Sequence, residues 1–171
     1  GDDSLRSRPM ARIADPLVAM GAAVVPAEGG TPPLAVRPGL PLHGMVHELP
    51  MASAQVKSCV LIAGLAASGT TTYVESVATR DHSERMLTAR GASISRVQGA
   101  DGGWSISVQG GAQLRALPQV QVPGDPSSAA FWLVAASLHP DADLTIRGVS
   151  LNPTRRHVIE ILRRMGASIE E

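Results

Sequence analysis

Two short segments carry residues suited to gripping an anion. Met51-Ala-Ser-Ala-Gln-Val-Lys-Ser58 leads into an apolar run, with Ser53, Ala54 and Gln55 at what the pattern predicts to be a helix start. Thr79-Arg-Asp-His-Ser-Glu-Arg-Met86 places Arg80 just after the next predicted strand. A helix start offers unpaired backbone N–H groups and about half a positive charge, so it attracts phosphate or carboxylate unless a side chain already occupies it. Taken alone, Ser53 reads first as an ordinary N-cap. A second helix start in the chain sharpens the choice: at Asp125-Pro126 a carboxylate can cap the helix and put negative charge where an anion would sit. Around Ser53 only neutral donors are available, so the contrast marks that start as the anion site and the Asp125 start as a structural cap.

Other polar residues are weighed against plainer roles. Arg8, in Ser7-Arg8-Pro9, stands at a predicted helix start where like charge meets like. A bound anion would resolve that conflict; Arg6 is the alternative, and a solvent-facing arginine is the plain reading. Lys57 lies four residues after Ser53 on one helical face, either adding charge near the anion or, more ordinarily, reaching the surface over an apolar stem. His82 and Glu84 fall in the first turns of a predicted helix and read as structural, Glu84 pairing with Arg80 or with backbone donors. His43, His47, His139 and His157 lack metal-ligand spacing, so no metal or cofactor is expected. Gly99 to Gly103 is glycine-rich but joins two strands, not the strand-to-helix placement of a nucleotide loop.

Composition narrows the partners. Fifteen basic residues balance fifteen acidic ones and aromatics are only 2%, which argues against nucleic acid, whose binders use basic faces and stacking platforms. Lys57 is the only lysine; the rest of the cationic charge is arginine, whose planar fork suits carboxylate and phosphate. The single Cys59 excludes an internal disulfide, and its apolar surroundings predict a buried thiol. No apolar run approaches the ~20 residues of a membrane span and no signal-like segment opens the sequence, so a reducing cytoplasm is the default compartment.

One phrase recurs three times and organises the chain. Ala19-Met-Gly-Ala-Ala-Val24, Ala89-Arg-Gly-Ala-Ser-Ile94 and Arg164-Met-Gly-Ala-Ser-Ile169 each follow an amphipathic pattern, which predicts a helix stopped by glycine and followed by a strand. The middle copy reads in full as β-α-β-α-β-β: strand 44–49, helix 53–67, strand 70–75, helix 80–90 with Met86 and Leu87 inward, and a hairpin of 92–97 with 104–108. The last copy repeats this through strand 120–122, helix 126–137, strand 144–147, helix 153–165 and a strand from 167. The first keeps one helix, 9–20, and a strand pair near 22–25 and 33–36; Pro16 should kink or restart that helix.

Both anion segments, with Gly1-Asp-Asp-Ser-Leu-Arg-Ser-Arg-Pro-Met10, Gly124-Asp-Pro-Ser-Ser-Ala129 and Leu151-Asn-Pro-Thr-Arg155, closely resemble the 5-enolpyruvylshikimate-3-phosphate synthase family, in its order and over nearly the whole chain. The resemblance implies the inside-out α/β repeats of enolpyruvyl transferases, truncated to a central fragment: 1–119 as part of the substrate-binding domain and 120–171 as the start of the returning second domain. It implies transfer of the enolpyruvyl group of phosphoenolpyruvate to the 5-hydroxyl of shikimate-3-phosphate. Ser53, Ala54 and Gln55 match positions that contact shikimate-3-phosphate, and Gln55 also approaches phosphoenolpyruvate. Arg80 matches a phosphate-holding arginine, Thr79 a serine of similar role in another branch, and Arg8 an arginine on phosphoenolpyruvate. Asn152 and Arg155 match a segment turning toward the cleft. The family's acid–base residues come from segments outside these, so no catalytic residue and no turnover are expected here. Competing readings are a non-catalytic repeat module that self-associates or pairs with other segments, and a UDP-sugar enolpyruvyl transferase, which lacks the Ser-Ala-Gln-Val-Lys-Ser wording. RNA 3'-phosphate cyclases, with similar repeats, fit the charge and aromatic content poorly.

Overall fold

The recurrent phrase ends three helices in one way. In the computed structural model, which describes residues 1–48 and 51–171, Gly21, Gly91 and Gly166 take φ of 104°, 94° and 101°. Each left-handed glycine donates its N–H three residues back, to Val18, Thr88 and Arg163, and each following alanine donates five back, to Leu17, Leu87 and Leu162. This paired closure satisfies carbonyls that a helix end leaves orphaned, and a side chain at the glycine would be strained.

The chain divides into two compact units, Gly1–Ala116 and Leu117–Glu171. In the first, the short helix α1 (Asp3–Arg6) precedes α2 (Ala11–Ala19), and β1 (Ala23–Pro26) pairs antiparallel with β2 (Leu34–Arg37). Then come β3 (Val46–Glu48), α3 (Ala54–Leu65), β4 (Thr70–Glu75), α4 (His82–Ala89), β5 (Ile94–Gln98) and β6 (Trp104–Gln109). The expected β-α-β-α-β-β order is therefore observed; the end of its first strand, at Leu49, lies outside the described residues.

These strands form one sheet in the order β3-β4-β6-β5, with β3 parallel to β4 and β6 antiparallel to both β4 and β5. Each helix is then a crossover between parallel strands, α3 from β3 to β4 and α4 from β4 to β5. Both helices consequently start beyond the carboxyl ends of parallel strands, where α/β sheets tend to bind ligands. The core has two parts: Leu61, Leu87, Ala92, Ile106 and Val108, and Val56, Val60 and Tyr73 with Ile13 of α2 packed on them. Helix α3 sits so close to the sheet that a Cβ on Gly64 would lie 2.7 Å from Val108 Cγ1 and 2.8 Å from Thr71 Cβ.

Two expectations for this unit fail. Helix α2 runs unbroken through Pro16, which is buried and whose carbonyl accepts from Met20 N at 3.1 Å. The proline forgoes only the bond to the carbonyl of Arg12, a solvent-exposed residue where water can substitute. Met86 is exposed while Leu87 is buried, because adjacent helical positions point about 100° apart and only one can face the sheet.

The second unit holds α5 (Pro126–Leu138) and α6 (His157–Arg164), which is shorter than the expected 153–165. Residues 120–122, 144–147 and 167 onward are not strands; the described residues of this unit carry only a bridge between Gly124 and Val149. A strand is held by ladder bonds to a neighbour, and an isolated extended segment has none. No described helix is long and apolar enough to cross a membrane.

Candidate functional site

Ser53 is the cap of α3, with extended backbone (φ −143°, ψ 115°) and Oγ accepting from Val56 N at 3.4 Å. Its main chain is gripped in turn by Tyr73: the phenol accepts from Ser53 N at 3.1 Å and donates to Ser53 O at 3.3 Å. Tyr73 is fully buried on β4, and burial, partly offset by the Ser53 bond, pushes its phenol above the ordinary range. The first intrahelical bond runs from Lys57 N to Ser53 O. Ala54 N–H and Gln55 N–H thereby have no intrahelical partner, and Gln55 is exposed with no bonded partner among the described residues. The first turn of α3 contains no acidic side chain.

The other helix start singled out by sequence is filled. Asp125 accepts from Ser127 N at 3.1 Å, and Arg155 reaches both Asp125 Oδ1 at 3.0 Å and Ser127 Oγ at 2.6 Å. The Ser127 backbone bond, chiefly, and the Arg155 charge hold the Asp125 carboxyl below its usual range. Arg155 is therefore committed to a helix cap.

Beside α3, the start of α4 is locked on by polar groups. Ser58 Oγ lies 2.6 Å from Ser83 Oγ and donates to Ala54 O at 2.7 Å. Lys57 Nζ lies 3.1 Å from Glu75 Oε1 and 2.8 Å from Glu84 Oε1, with the lysine and Glu75 side chains wholly buried. Both plainer expectations for Lys57, phosphate neighbour or surface cation, are thus overturned: its stem lies in the core and its charge is taken by carboxylates. Glu84 pairs with Lys57 and not with Arg80. The carboxylate of Glu75 also accepts from Thr79 N at 3.2 Å and Thr79 Oγ1 at 2.6 Å. The hydroxyl proton of Thr79 is therefore already in use.

Arg80 follows directly, exposed and without an ion pair or hydrogen bond among the described residues. Asp81 is buried and pairs with Arg85 Nε at 2.9 Å. Arg8 lies exposed in the turn between α1 and α2, its backbone N–H 3.3 Å from Leu5 O. Its segment is tied to the start of α3 through Ile13 on the Val56–Tyr73 cluster; its side chain makes no polar contact to the other candidates among the described residues. So Ser53, Ala54 and Gln55 adjoin the Thr79-Arg80 loop through Lys57 and Glu75, while no contact among the described residues joins Arg8 to them.

Sequence reasoning passed over Tyr73 and Glu75. Their signal was the alternation in Thr70 to Glu75, where 71, 73 and 75 are buried: a lone tyrosine and an acid on the inward face of a strand need partners inside.

A family model described as EPSP synthase (3-phosphoshikimate 1-carboxyvinyltransferase) matches residues 1–171. Proteins named 3-phosphoshikimate 1-carboxyvinyltransferase from Alkalilimnicola ehrlichii and Parasynechococcus marenigrum are 51% and 54% identical over 99% of this chain. The chain spans only 37% and 38% of those relatives' lengths. An EPSP synthase structure from Acinetobacter baumannii superposes with TM-score 0.84 at 48% identity, covering 100% of this chain and 38% of that one. The enolpyruvyl transferase NikO from Streptomyces tendae shares the fold, with TM-score 0.69 at 20% identity over 98% of this chain and 41% of its own. With a model matched from end to end and half the residues shared with such relatives, the chain belongs to the EPSP synthase family.

Proposed function

We propose that this chain supplies the phosphate-gripping half of a site that moves the enolpyruvyl group of phosphoenolpyruvate to the 5-hydroxyl of shikimate-3-phosphate. The observation that carries this is the start of α3: N–H groups of Ala54 and Gln55 without an intrahelical partner, no acid in the first turn, and on the adjoining loop an Arg80 unpaired among the described residues. Phosphate on shikimate would accept from those N–H groups and from Arg80, with Ser53 fixing the helix end and Thr79 anchoring the arginine's loop. Gln55, exposed on the first turn, and Arg8, from the turn before α2, would meet phosphoenolpyruvate. In this reading residues 1–119 belong to the substrate-binding domain and 120–171 begin the second domain of a cytoplasmic enzyme.

The reaction needs a base at the hydroxyl, an acid at the methylene carbon, and positive charge over both anions. Around α3 and α4, Glu75 and Glu84 are paired with Lys57 and Asp81 is paired with Arg85, so these acids and the lysine are held in ion pairs and are not free to move a proton. The chain therefore binds without turning over. Amide NMR of the 171-residue chain titrated with shikimate-3-phosphate should give saturable shifts at Ser53 to Gln55 and Arg80, and no product should form when phosphoenolpyruvate is added. Absence of any shift at those amides would reduce the chain to a scaffold; product formation would overturn the division of labour.

A further inference from the structure

The loop that carries Arg80 has no apolar anchor of its own. Ser76, Val77 and Ala78 are exposed, Thr79 is half-buried, and Arg80 is exposed. What holds the loop is polar: Thr79 gives both its donors to Glu75 at the end of β4, and Glu84 on the first turn of α4 closes the other side. Both carboxylates converge on one ammonium, Lys57 Nζ, at 3.1 and 2.8 Å, on the first turn of the very helix whose start is the candidate anion site.

We propose that Lys57 is a positioning residue for phosphate binding: by clamping Glu75 and Glu84 it fixes the 76–81 loop, and hence Arg80, against the start of α3. The inference rests on the reading of that start as the shikimate-3-phosphate site. Two features separate positioning from a direct role. The lysine side chain has no exposed surface through which to touch a ligand. One ammonium between two carboxylates also leaves the cluster with surplus negative charge, which repels an anion, so the cluster cannot serve by attraction. The geometry suits lysine: a compact ammonium hydrogen-bonds Glu75 and still lies against Glu84 as a point charge, where a guanidinium would present a planar fork. Neither Glu84 oxygen has a hydrogen-bond partner among the described residues, so the ion pair with Lys57 is what compensates this buried carboxylate. Without Lys57 the two acids repel, α4 is pushed off α3, and the arginine moves with it.

The test is a double-mutant cycle on shikimate-3-phosphate affinity, read from amide shifts in the 171-residue chain. Arg80→Ala should weaken binding about 10- to 100-fold, as loss of a charge-assisted bond does. Lys57→Met should weaken it about tenfold in the parent background and leave it unchanged in the Arg80→Ala background, since a residue acting through Arg80 has nothing left to position. A lysine that only stabilised the fold would give independent, additive effects. Should Lys57→Met fail to fold, Lys57→Met with Glu84→Gln restores the original buried charge while still removing the clamp, and carries the same expectation. Unchanged affinity in a folded Lys57 variant, or additivity with Arg80→Ala, overturns the proposal while leaving the site intact. No saturable binding by the parent chain, or none lost in Arg80→Ala, overturns the site and the proposal together.

Discussion

His47 shows how burial at one residue writes a pH dependence into the fold. It lies on β3 with 5% of its surface exposed, and its Nε2 has no hydrogen-bond partner among the described residues. Burial disfavours the imidazolium and lowers its pKa from the ordinary 6.5. A group with a depressed folded pKa stabilises the fold above its unfolded pKa, and that contribution is lost as pH falls toward the folded value, because the unfolded chain binds the proton first. Melting temperature should hold steady above about pH 6.5 and decline below it. His47→Leu should flatten this limb; an unchanged slope in that variant would assign the acid sensitivity elsewhere. The same scale shows where side-chain roles were hidden in sequence. The partners of Lys57 lie 18 residues on, at Glu75, and further still, at Glu84, so no local rule pairs them. Ser53, whose cap bond spans three residues, was legible at once.

Among elements, local signals carried as far as the chain's own hydrogen bonds do. The glycine stops at 21, 91 and 166 were readable because a left-handed closure is a property of a few neighbouring residues. The strand Thr70 to Glu75 was readable from β-branched residues and alternation, and both its neighbours lie in the same unit. Segments 120–122 and 144–147 carry similar residues but pair with no strand among those described. Propensity without a partner does not make a sheet. The approach of α3 to the sheet yields a sharp expectation: Gly64→Ala inserts a methyl where Val108 and Thr71 stand 2.7 and 2.8 Å away. Overpacking of this kind costs about 1–3 kcal/mol. Urea unfolding should move to lower midpoint at unchanged slope, and a neutral effect would mean the helix can shift outward freely.

At the scale of the whole molecule, apolar surface is distributed unevenly. In α5, Phe131, Trp132 and Leu138 are 79%, 65% and 80% exposed, although the helix is apolar on every side. Exposed aromatic surface of this kind drives association. Sedimentation velocity should show mass rising with concentration, and Phe131→Ser with Trp132→Ser should suppress it; a single species at every concentration would mean that the face stays bare in water. Composition says nothing about this, since it counts residues without placing them.

The burial of Lys57 has a practical consequence. It is the sequence's one ε-amine, and in the folded chain it is shut away from solvent. Acylating reagents and lysine-directed proteases therefore meet no side-chain target until that region opens. The speed at which such a reagent consumes the amine becomes a stopwatch for local opening at the junction of α3 and α4, and a ligand that tightens the junction should slow it.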